Sequence, residues 1–185
     1  GGALLLNNEL FIRRAEIIRE KGTNRTEFMR GEVSKYSWVD IGSSFLPGEI
    51  TSAFLWAQLQ EAHLITKKRK EIWNFYHQSF QDLAYMKKLQ RPSIPEHSFH
   101  NGHIYYLLLK SNDERNNFIE SMRLKKVNCV FHYVPLHSSK IGKNIGRASG
   151  DMTVTDDIAG RLVRLPIWLG IDDIIVSQRV HDCLK

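Results

Sequence analysis

The longest helical pattern in this chain runs from Glu49 to about Leu83, and it limits the folds that the chain can adopt. Apolar residues recur at helical spacing in its first part and again after residue 71. Polar residues between Gln60 and Glu71 interrupt the apolar stripe, so we expect a bend there. We interpret the segment as a helix that links two domains.

The residues before this helix have the pattern of the end of an α/β layer. Gly1 to Leu6 favours a short buried strand, and Asn8 is placed to cap the helix that follows. Gly22 offers a stop for that helix. From Gly22 to Gly48 the chain is rich in glycine and polar residues, which predicts a long, partly irregular connection of the kind that is often functional.

The residues after the helix predict a small α+β domain. Strand patterns occur at residues 104–109, 127–134 and 165–168. Ser111 and Glu114 have capping-box spacing ahead of one helix, Thr155 is placed to cap a second, and Asp172 begins the last. The predicted organisation is a large-domain tail at 1–48, a linking helix at 49–90 and a small C-terminal domain at 91–185.

Charge and composition narrow the class of protein. The 185 residues carry a net charge of +6 with 42% hydrophobic residues, which is ordinary for a soluble globular chain. No apolar stretch is long enough to cross a bilayer, and no nucleic-acid-binding module is recognisable. We therefore expect neither a membrane nor a nucleic acid as a partner. The positive charge suits phosphorylated small molecules or an ordinary basic surface. The cysteines, Cys129 and Cys183, form no CxxC pair, which predicts a reducing cytoplasm.

Two groups of side chains are candidates for a site. Ser43 and Ser44 follow a glycine in the long loop, before the helix at Glu49, and hydroxyls with free N–H groups near a helix start suit phosphate binding. His132, Tyr133 and His137 converge where a predicted strand runs into a turn, a common position for binding residues. For both groups the alternative is a polar turn without a ligand.

Two other patterns are weaker. His97, His100 and His103 lie three residues apart, but this spacing in a Pro-bounded loop is not a familiar zinc pattern, so we expect no metal site. Cys129 and His132 would lie on opposite faces of a strand, which favours a core cysteine over a thiol nucleophile.

Several stretches share a pattern with one enzyme family. They are Gly1-Gly-Ala-Leu-Leu-Leu6, Lys21-Gly-Thr-Asn-Arg25, Asp40-Ile-Gly-Ser-Ser44, Phe131-His-Tyr-Val-Pro-Leu-His137 and Arg164-Leu-Pro-Ile167. Together they are collinear, cover nearly the whole chain and resemble the DegT/DnrJ-type sugar-nucleotide aminotransferases. The narrower resemblance is to the branch that makes dTDP-4-amino-4,6-dideoxygalactose for enterobacterial common antigen.

The resemblance implies an α/β fold: the C-terminal part of a type I PLP-dependent transferase, similar to aspartate aminotransferase. It also implies an obligate homodimer in the cytoplasm with pyridoxal 5'-phosphate (PLP) as cofactor. The reaction implied is transfer of an amino group from glutamate to a dTDP-linked 4-keto-6-deoxy sugar for surface polysaccharide or antigen synthesis. The family's Schiff-base lysine is expected upstream of Gly1, so we expect no catalytic residue within this chain and no activity from it alone.

The resemblance also assigns the candidate residues. Many members have an Asn at the position of Leu46 that reaches the PLP phosphate of the neighbouring subunit, so we assign this role to Ser43 or Ser44 instead. His132, Tyr133 and His137 are assigned to the substrate. Two alternatives stay open: a non-catalytic remnant that acts in assembly, and a PLP-dependent sugar-nucleotide dehydratase relative.

Overall fold

A computed structural model describes residues 2–184 and divides the chain into two compact units. The first unit ends at Gln60 and the second begins at Glu61. The predicted linking segment therefore belongs partly to each unit, and the helical pattern is interrupted at Glu61, within the stretch where a bend was expected. The division into 1–48, 49–90 and 91–185 stays a proposal for the whole protein.

The first unit is built from short helices and a long connection. In chain order its elements are a 3-10 turn (Glu9–Phe11), α1 (Ile12–Arg19), α2 (Arg25–Met29) and α3 (Glu49–Gln60). Asn8 accepts a hydrogen bond from the backbone N–H of Leu10 at 3.0 Å, so the predicted cap is confirmed. The predicted strand is wrong for residues 2–6, where no strand forms, and Gly1 lies outside the described residues. Leu4 and Leu5 are exposed, and a single extended segment without a neighbouring strand has no ladder to complete.

The connection after α1 folds back onto the end of that helix. Ser43 donates its backbone N–H to the carbonyl of Ile18 at 3.0 Å and accepts from the N–H of Lys21 at 3.1 Å. Gly22 has a φ of +76°, a conformation that residues with a Cβ rarely adopt. The predicted irregular loop is therefore a fixed structure, and it holds Ser43 beside the last turn of α1.

The second unit combines helices with a three-stranded antiparallel sheet. Its elements are α4 (Ala62–Ser79), α5 (Gln81–Tyr85), β1 (Tyr105–Leu108), α6 (Asn112–Leu124), β2 (Val130–Phe131), a 3-10 turn (Leu136–Ser138), α7 (Lys140–Ile145), α8 (Thr153–Arg161), β3 (Leu162–Leu165) and α9 (Asp173–Leu184). The strand order is β1-β3-β2, which places β3 in the centre.

The two faces of this sheet have different environments. Tyr105 and Leu107 are fully buried and pack with Val163 in a core to which α4, α6 and α9 also contribute. Residues of β1 alternate between buried and half-buried, as strand geometry requires. The opposite face carries Tyr106 and Arg164, which are partners across the ladder.

Several predicted boundaries in the second unit need correction. The strand expected at 127–134 is limited to Val130–Phe131, because it pairs only with two residues of β3. The strand expected at 165–168 instead ends at Leu165, since the next residue, Pro166, has no N–H to donate to a ladder. Thr155 lies inside α8, whose first residue is Thr153, so the predicted cap is wrong. The helices expected after Ser111 and from about Asp172 are confirmed.

Candidate functional site

Ser43 and Ser44 lie in the first unit with exposed side chains. Within residues 2–184 neither hydroxyl has a hydrogen-bond partner, whereas the backbone of Ser43 is fully used by Ile18 and Lys21. The pair therefore offers hydroxyl groups on a fixed loop. The helix terminus next to this loop is the C-terminus of α1, whereas the sequence pattern had favoured the start of α3. The first turn of α3 also carries Glu49, which disfavours an anion there.

The arginines of the first unit are largely committed to carboxylates. Arg14 lies 2.6 Å from Asp40, and Arg13 and Arg25 make equally short pairs with the buried carboxylates Glu27 and Glu20. These three arginines are therefore not free cations for a ligand of the serine loop.

Arg30 is held between two carboxylates. It donates to Glu32 at 2.7 Å and to Glu16 at 2.9 Å. The hydrogen bond with Glu32 raises the pKa of the Arg30 guanidinium and lowers that of the Glu32 carboxyl. The Arg30 guanidinium and the Glu32 carboxylate are therefore both charged at neutral pH.

His132 and Tyr133 are brought together with an arginine that the sequence analysis did not select. The imidazole and phenol rings meet at 5.2 Å between centroids, and the guanidinium carbon of Arg164 lies 5.6 Å from the centroid of the Tyr133 ring. Tyr133 is 74% exposed, whereas His132 is half-buried. We refer to His132, Tyr133 and Arg164 as the Tyr133 cluster.

His137 has a different environment from its two predicted companions. Its Nε2 lies 2.9 Å from Oδ1 of Asp156, which belongs to α8. Ser139, two residues later, caps α7 by accepting from the N–H of Gly142 at 3.1 Å. The contact with Asp156 connects the turn at 136–138 to α8 through the His137 side chain.

His132 also lines a cleft of the second unit. The cleft has a volume of about 560 Å³, and its lining includes Trp73, Phe99, Tyr106 and Leu162. Tyr106 is on the sheet face opposite the helical core, whereas Trp73 of α4 belongs to that core, so the cleft is lined by both. An aromatic lining with a few polar groups is the usual composition of a small-molecule site.

A second cleft of about 580 Å³ shares Trp73 and His100 with the first and adds His77 and Arg91. The Trp73 ring contacts both imidazoles, with centroid distances of 4.8 Å to His77 and 4.4 Å to His100. Burial lowers the pKa of each imidazole, with a smaller contribution from Arg91 near His77 and from Lys70 near His100. Both rings are therefore neutral at physiological pH.

The predicted histidine triplet serves separate local roles. His100 packs on Trp73, and Nδ1 of His103 lies 2.7 Å from the side-chain oxygen of Asn101. In the part of the chain that the structure describes, no three His, Cys, Asp or Glu side chains are arranged to hold a metal ion.

Cys129 is buried in the core, which confirms the prediction for this residue. Burial raises the pKa of its thiol to about 12, so the reactive thiolate is scarce at neutral pH. Phe131 and Tyr133, which follow Cys129 at alternate positions, are exposed.

The residues that sequence reasoning missed are Trp73, Tyr106 and Arg164. Trp73 belongs to the helical pattern that begins at Glu49, and Tyr106 belongs to the strand pattern at 104–109; these patterns indicated secondary structure but no site. Arg164 carried a usable signal, because a charged residue between Val163 and Leu165 in a strand must point away from the core.

Between residues 2 and 184, no helix is long and apolar enough to span a membrane.

Comparison with known proteins places these features in a family. The model of the DegT/DnrJ/EryC1/StrS aminotransferase family matches residues 1–185. The Methanocaldococcus jannaschii protein MJ1066 is 28% identical over 185 residues, covering 95% of this chain and 47% of that protein. A UDP-4-amino-4,6-dideoxy-N-acetyl-beta-L-altrosamine transaminase from Campylobacter jejuni is 22% identical over 147 residues, covering 78% of this chain and 37% of that protein. The chain thus spans less than half the length of these relatives.

Solved structures match the fold at low sequence identity. DesV from S. venezuelae has a TM-score of 0.81 at 16% identity, with 98% of this chain and 46% of that chain covered. Spr1654 from Streptococcus pneumoniae was solved in PLP and PMP forms; its PLP form has a TM-score of 0.74 at 17% identity, covering 97% of this chain and 44% of that chain. The predicted α/β fold and the PLP dependence of the family are confirmed. The chain belongs to the DegT/DnrJ/EryC1/StrS aminotransferase family.

Proposed function

We propose that this chain is the C-terminal part of a PLP-dependent transaminase that moves an amino group from glutamate to a dTDP-linked 4-keto-6-deoxy sugar. The product would serve surface polysaccharide or antigen synthesis, such as enterobacterial common antigen. The observation that carries the proposal is the family match over residues 1–185. The Campylobacter jejuni relative is named for a 4-amino-4,6-dideoxy sugar nucleotide, which supports amination at carbon 4.

The residues of the first unit fit a role at the cofactor phosphate. Ser43 and Ser44 present exposed hydroxyls without partners among the described residues, and the bonds to α1 fix the loop that carries them. Hydroxyl donors on a fixed loop suit a phosphate group. When bound, PLP supplies the electron sink and the amino-group carrier that transamination needs.

The residues of the second unit fit the substrate side. His132 lines the cleft next to Tyr106, and Tyr133 contacts His132 with an exposed phenol ring. We propose that His132 and Tyr133 contact the substrate directly. His137 contributes by holding the turn through Asp156.

Three further features of the whole enzyme belong to the proposal. The Schiff-base lysine is supplied from outside this chain, a proposal that rests on the resemblance of residues 1–6 to the segment that follows this lysine in the family. The enzyme is a homodimer, which is supported by the exposed apolar side chains of α3 such as Phe54 and Trp56. A cytoplasmic location is supported by the unpaired Cys129 and Cys183.

The test is turnover by the whole protein that contains this chain, supplied with PLP, glutamate and either dTDP- or UDP-4-keto-6-deoxy sugar. We expect amination of the dTDP sugar with the lower KM, and a raised KM for the sugar nucleotide in His132→Ala. Preference for the UDP sugar would refute the dTDP assignment. Unchanged turnover and KM in His132→Ala would remove His132 from the substrate site.

A further inference from the structure

Arg164 occupies the centre of the small sheet. It lies in β3, the middle strand, and is the ladder partner of Tyr106 on one side and Val130 on the other. Its chain neighbours Val163 and Leu165 are buried on the core side. The Arg164 side chain therefore belongs to the sheet face opposite the helices, with its guanidinium over the ring of Tyr133.

The Arg164 guanidinium has no carboxylate partner among residues 2–184. Elsewhere in the second unit, Arg161 pairs with Asp157 at 2.6 Å and Arg123 with Glu120 at 2.7 Å, but Arg164 has no ion pair within residues 2–184. Its Nε is buried and has no hydrogen-bond acceptor there. A guanidinium stays charged in proteins, and a buried donor without an acceptor costs free energy.

A second nitrogen without a partner belongs to a ring that contacts Tyr133. Nδ1 of His132 is also buried without a hydrogen-bond partner among residues 2–184, and the His132 ring meets the Tyr133 ring at 5.2 Å between centroids. Val130 is the ladder partner of Arg164, and His132 follows Val130 by two residues. This diagonal relation across two strands is one that long side chains span.

We propose that Arg164, whose guanidinium lies over the Tyr133 ring, binds an oxyanion, a carboxylate or phosphate group, with His132 as the second donor. A guanidinium offers parallel N–H donors that match both groups, and the cation–π contact with Tyr133 favours this position of the guanidinium. The His132 Nδ1–H tautomer donates to the same oxyanion. Arg115 stacks over Phe131 in a similar way, but no imidazole contacts the Phe131 ring in the described part of the chain.

Two groups of the reaction could supply this oxyanion. They are the carboxylate of the amino donor and the diphosphate of the sugar nucleotide. The choice between them rests on the proposed function, whereas oxyanion binding by Arg164 does not.

The first experiment measures binding to the whole PLP-saturated protein by calorimetry, with inorganic pyrophosphate and acetate as separate probes. We expect at least one probe to bind, with affinity reduced at least tenfold in Arg164→Lys, because lysine lacks the planar fork. Arg123→Lys, at an exposed ion pair, is the matched control and should bind as the unmodified protein does. No binding of either probe, or equal loss in the control, would overturn the proposal.

Tyr133→Leu keeps Arg164 but removes the ring on which it stacks. We expect it to weaken binding of the same probe, with a circular dichroism spectrum and melting temperature close to those of the unmodified protein. If Arg164→Lys does not fold, this variant decides: unchanged affinity in Tyr133→Leu would then refute the cluster as the oxyanion site.

The second experiment separates the sources by steady-state kinetics of the whole protein. A raised KM for glutamate alone in Arg164→Lys assigns the donor carboxylate, and a raised KM for the sugar nucleotide alone assigns the diphosphate. Turnover with both KM values unchanged would overturn the inference and leave the proposed function standing. Oxyanion binding without any transamination would support the inference and refute the proposed function.

Discussion

Gly42 shows how one residue determines the position of the serine loop. A Cβ at this position would lie 2.2 Å from the backbone nitrogen of Gly22 and 2.7 Å from the carbonyl oxygen of Ile18. Backbone atoms cannot move aside as a flexible side chain can. We expect Gly42→Ala to lower the free energy of unfolding by roughly 1–3 kcal/mol in urea denaturation.

The control for this prediction is Gly48→Ala in the same connection. In the part of the chain that the structure describes, no atom lies within 4 Å of a Cβ placed there, so we expect a change below about 0.5 kcal/mol. Equal effects of the two substitutions would show that the contact between Gly42 and Gly22 does not fix the loop.

His137 is the residue where a binding role and a structural role make opposite predictions. If its bond to Asp156 is its function, His137→Ala and Asp156→Asn should increase hydrogen exchange of residues 139–152 to the same extent. Each substitution should lower the free energy of unfolding by less than about 1 kcal/mol, because Asp156 is half exposed and such pairs are weak.

A double variant with no faster hydrogen exchange than either single variant would confirm that the contact between His137 and Asp156 holds the turn. A KM effect of His137→Ala without one for Asp156→Asn would instead mean direct substrate contact.

Individual helices followed from local sequence, because their ends are set by nearby side chains. The Ser111 hydroxyl accepts from the N–H of Glu114 at 3.1 Å, and the Glu114 carboxylate accepts from the N–H of Lys110 at 2.9 Å. The strands were less predictable, since their limits depend on partners far along the chain. β2 is two residues long only because of its register with β3.

Ser111 gives an element-scale prediction. Ser111→Ala should destabilise the protein by about 1 kcal/mol, because the N–H of Glu114 loses its acceptor at the start of α6. Thr155→Ala is the control, since Thr155 lies inside α8 and alanine favours a helix. Thermal unfolding of both variants tests the prediction, and a larger loss in Thr155→Ala would contradict the assigned caps.

The two imidazoles on Trp73 predict how stability responds to pH. Burial holds the pKa of His77 and His100 below the ordinary 6.5, so the unfolded chain binds protons first as the pH falls. Their contribution is therefore complete above about pH 6.5 and is lost on acidification below it. The melting temperature should fall between pH 7.5 and 5.5, and His100→Gln should reduce that fall. An identical pH dependence in His100→Gln would exclude this cause.

For the whole molecule, the order of elements and the motifs were sufficient to predict the family and the fold. The site was predicted only in part. His132 and Tyr133 were identified because they precede a turn, but Arg164 joins them through the β3 register, which no local pattern encodes. The clefts around Trp73 depend on a loop and a helix that are distant in sequence.

The first unit is the part for which sequence reasoning was least sufficient. None of the residues in α3 is buried, and Ile50 and Phe54 are 88% and 70% exposed. A helix with one charged residue and so many apolar side chains normally packs against other protein. Local sequence predicted the helix, but its packing partner is not specified by local sequence.

The most direct test of the central claim follows the amino group itself. The whole protein containing this chain would be incubated with PLP, ¹⁵N-glutamate and a dTDP-4-keto-6-deoxy sugar, with analysis by mass spectrometry. We predict an ¹⁵N-labelled 4-amino sugar nucleotide and an equal amount of 2-oxoglutarate. Unchanged glutamate and an unlabelled sugar nucleotide, with PLP bound to the protein, would contradict transamination as its function.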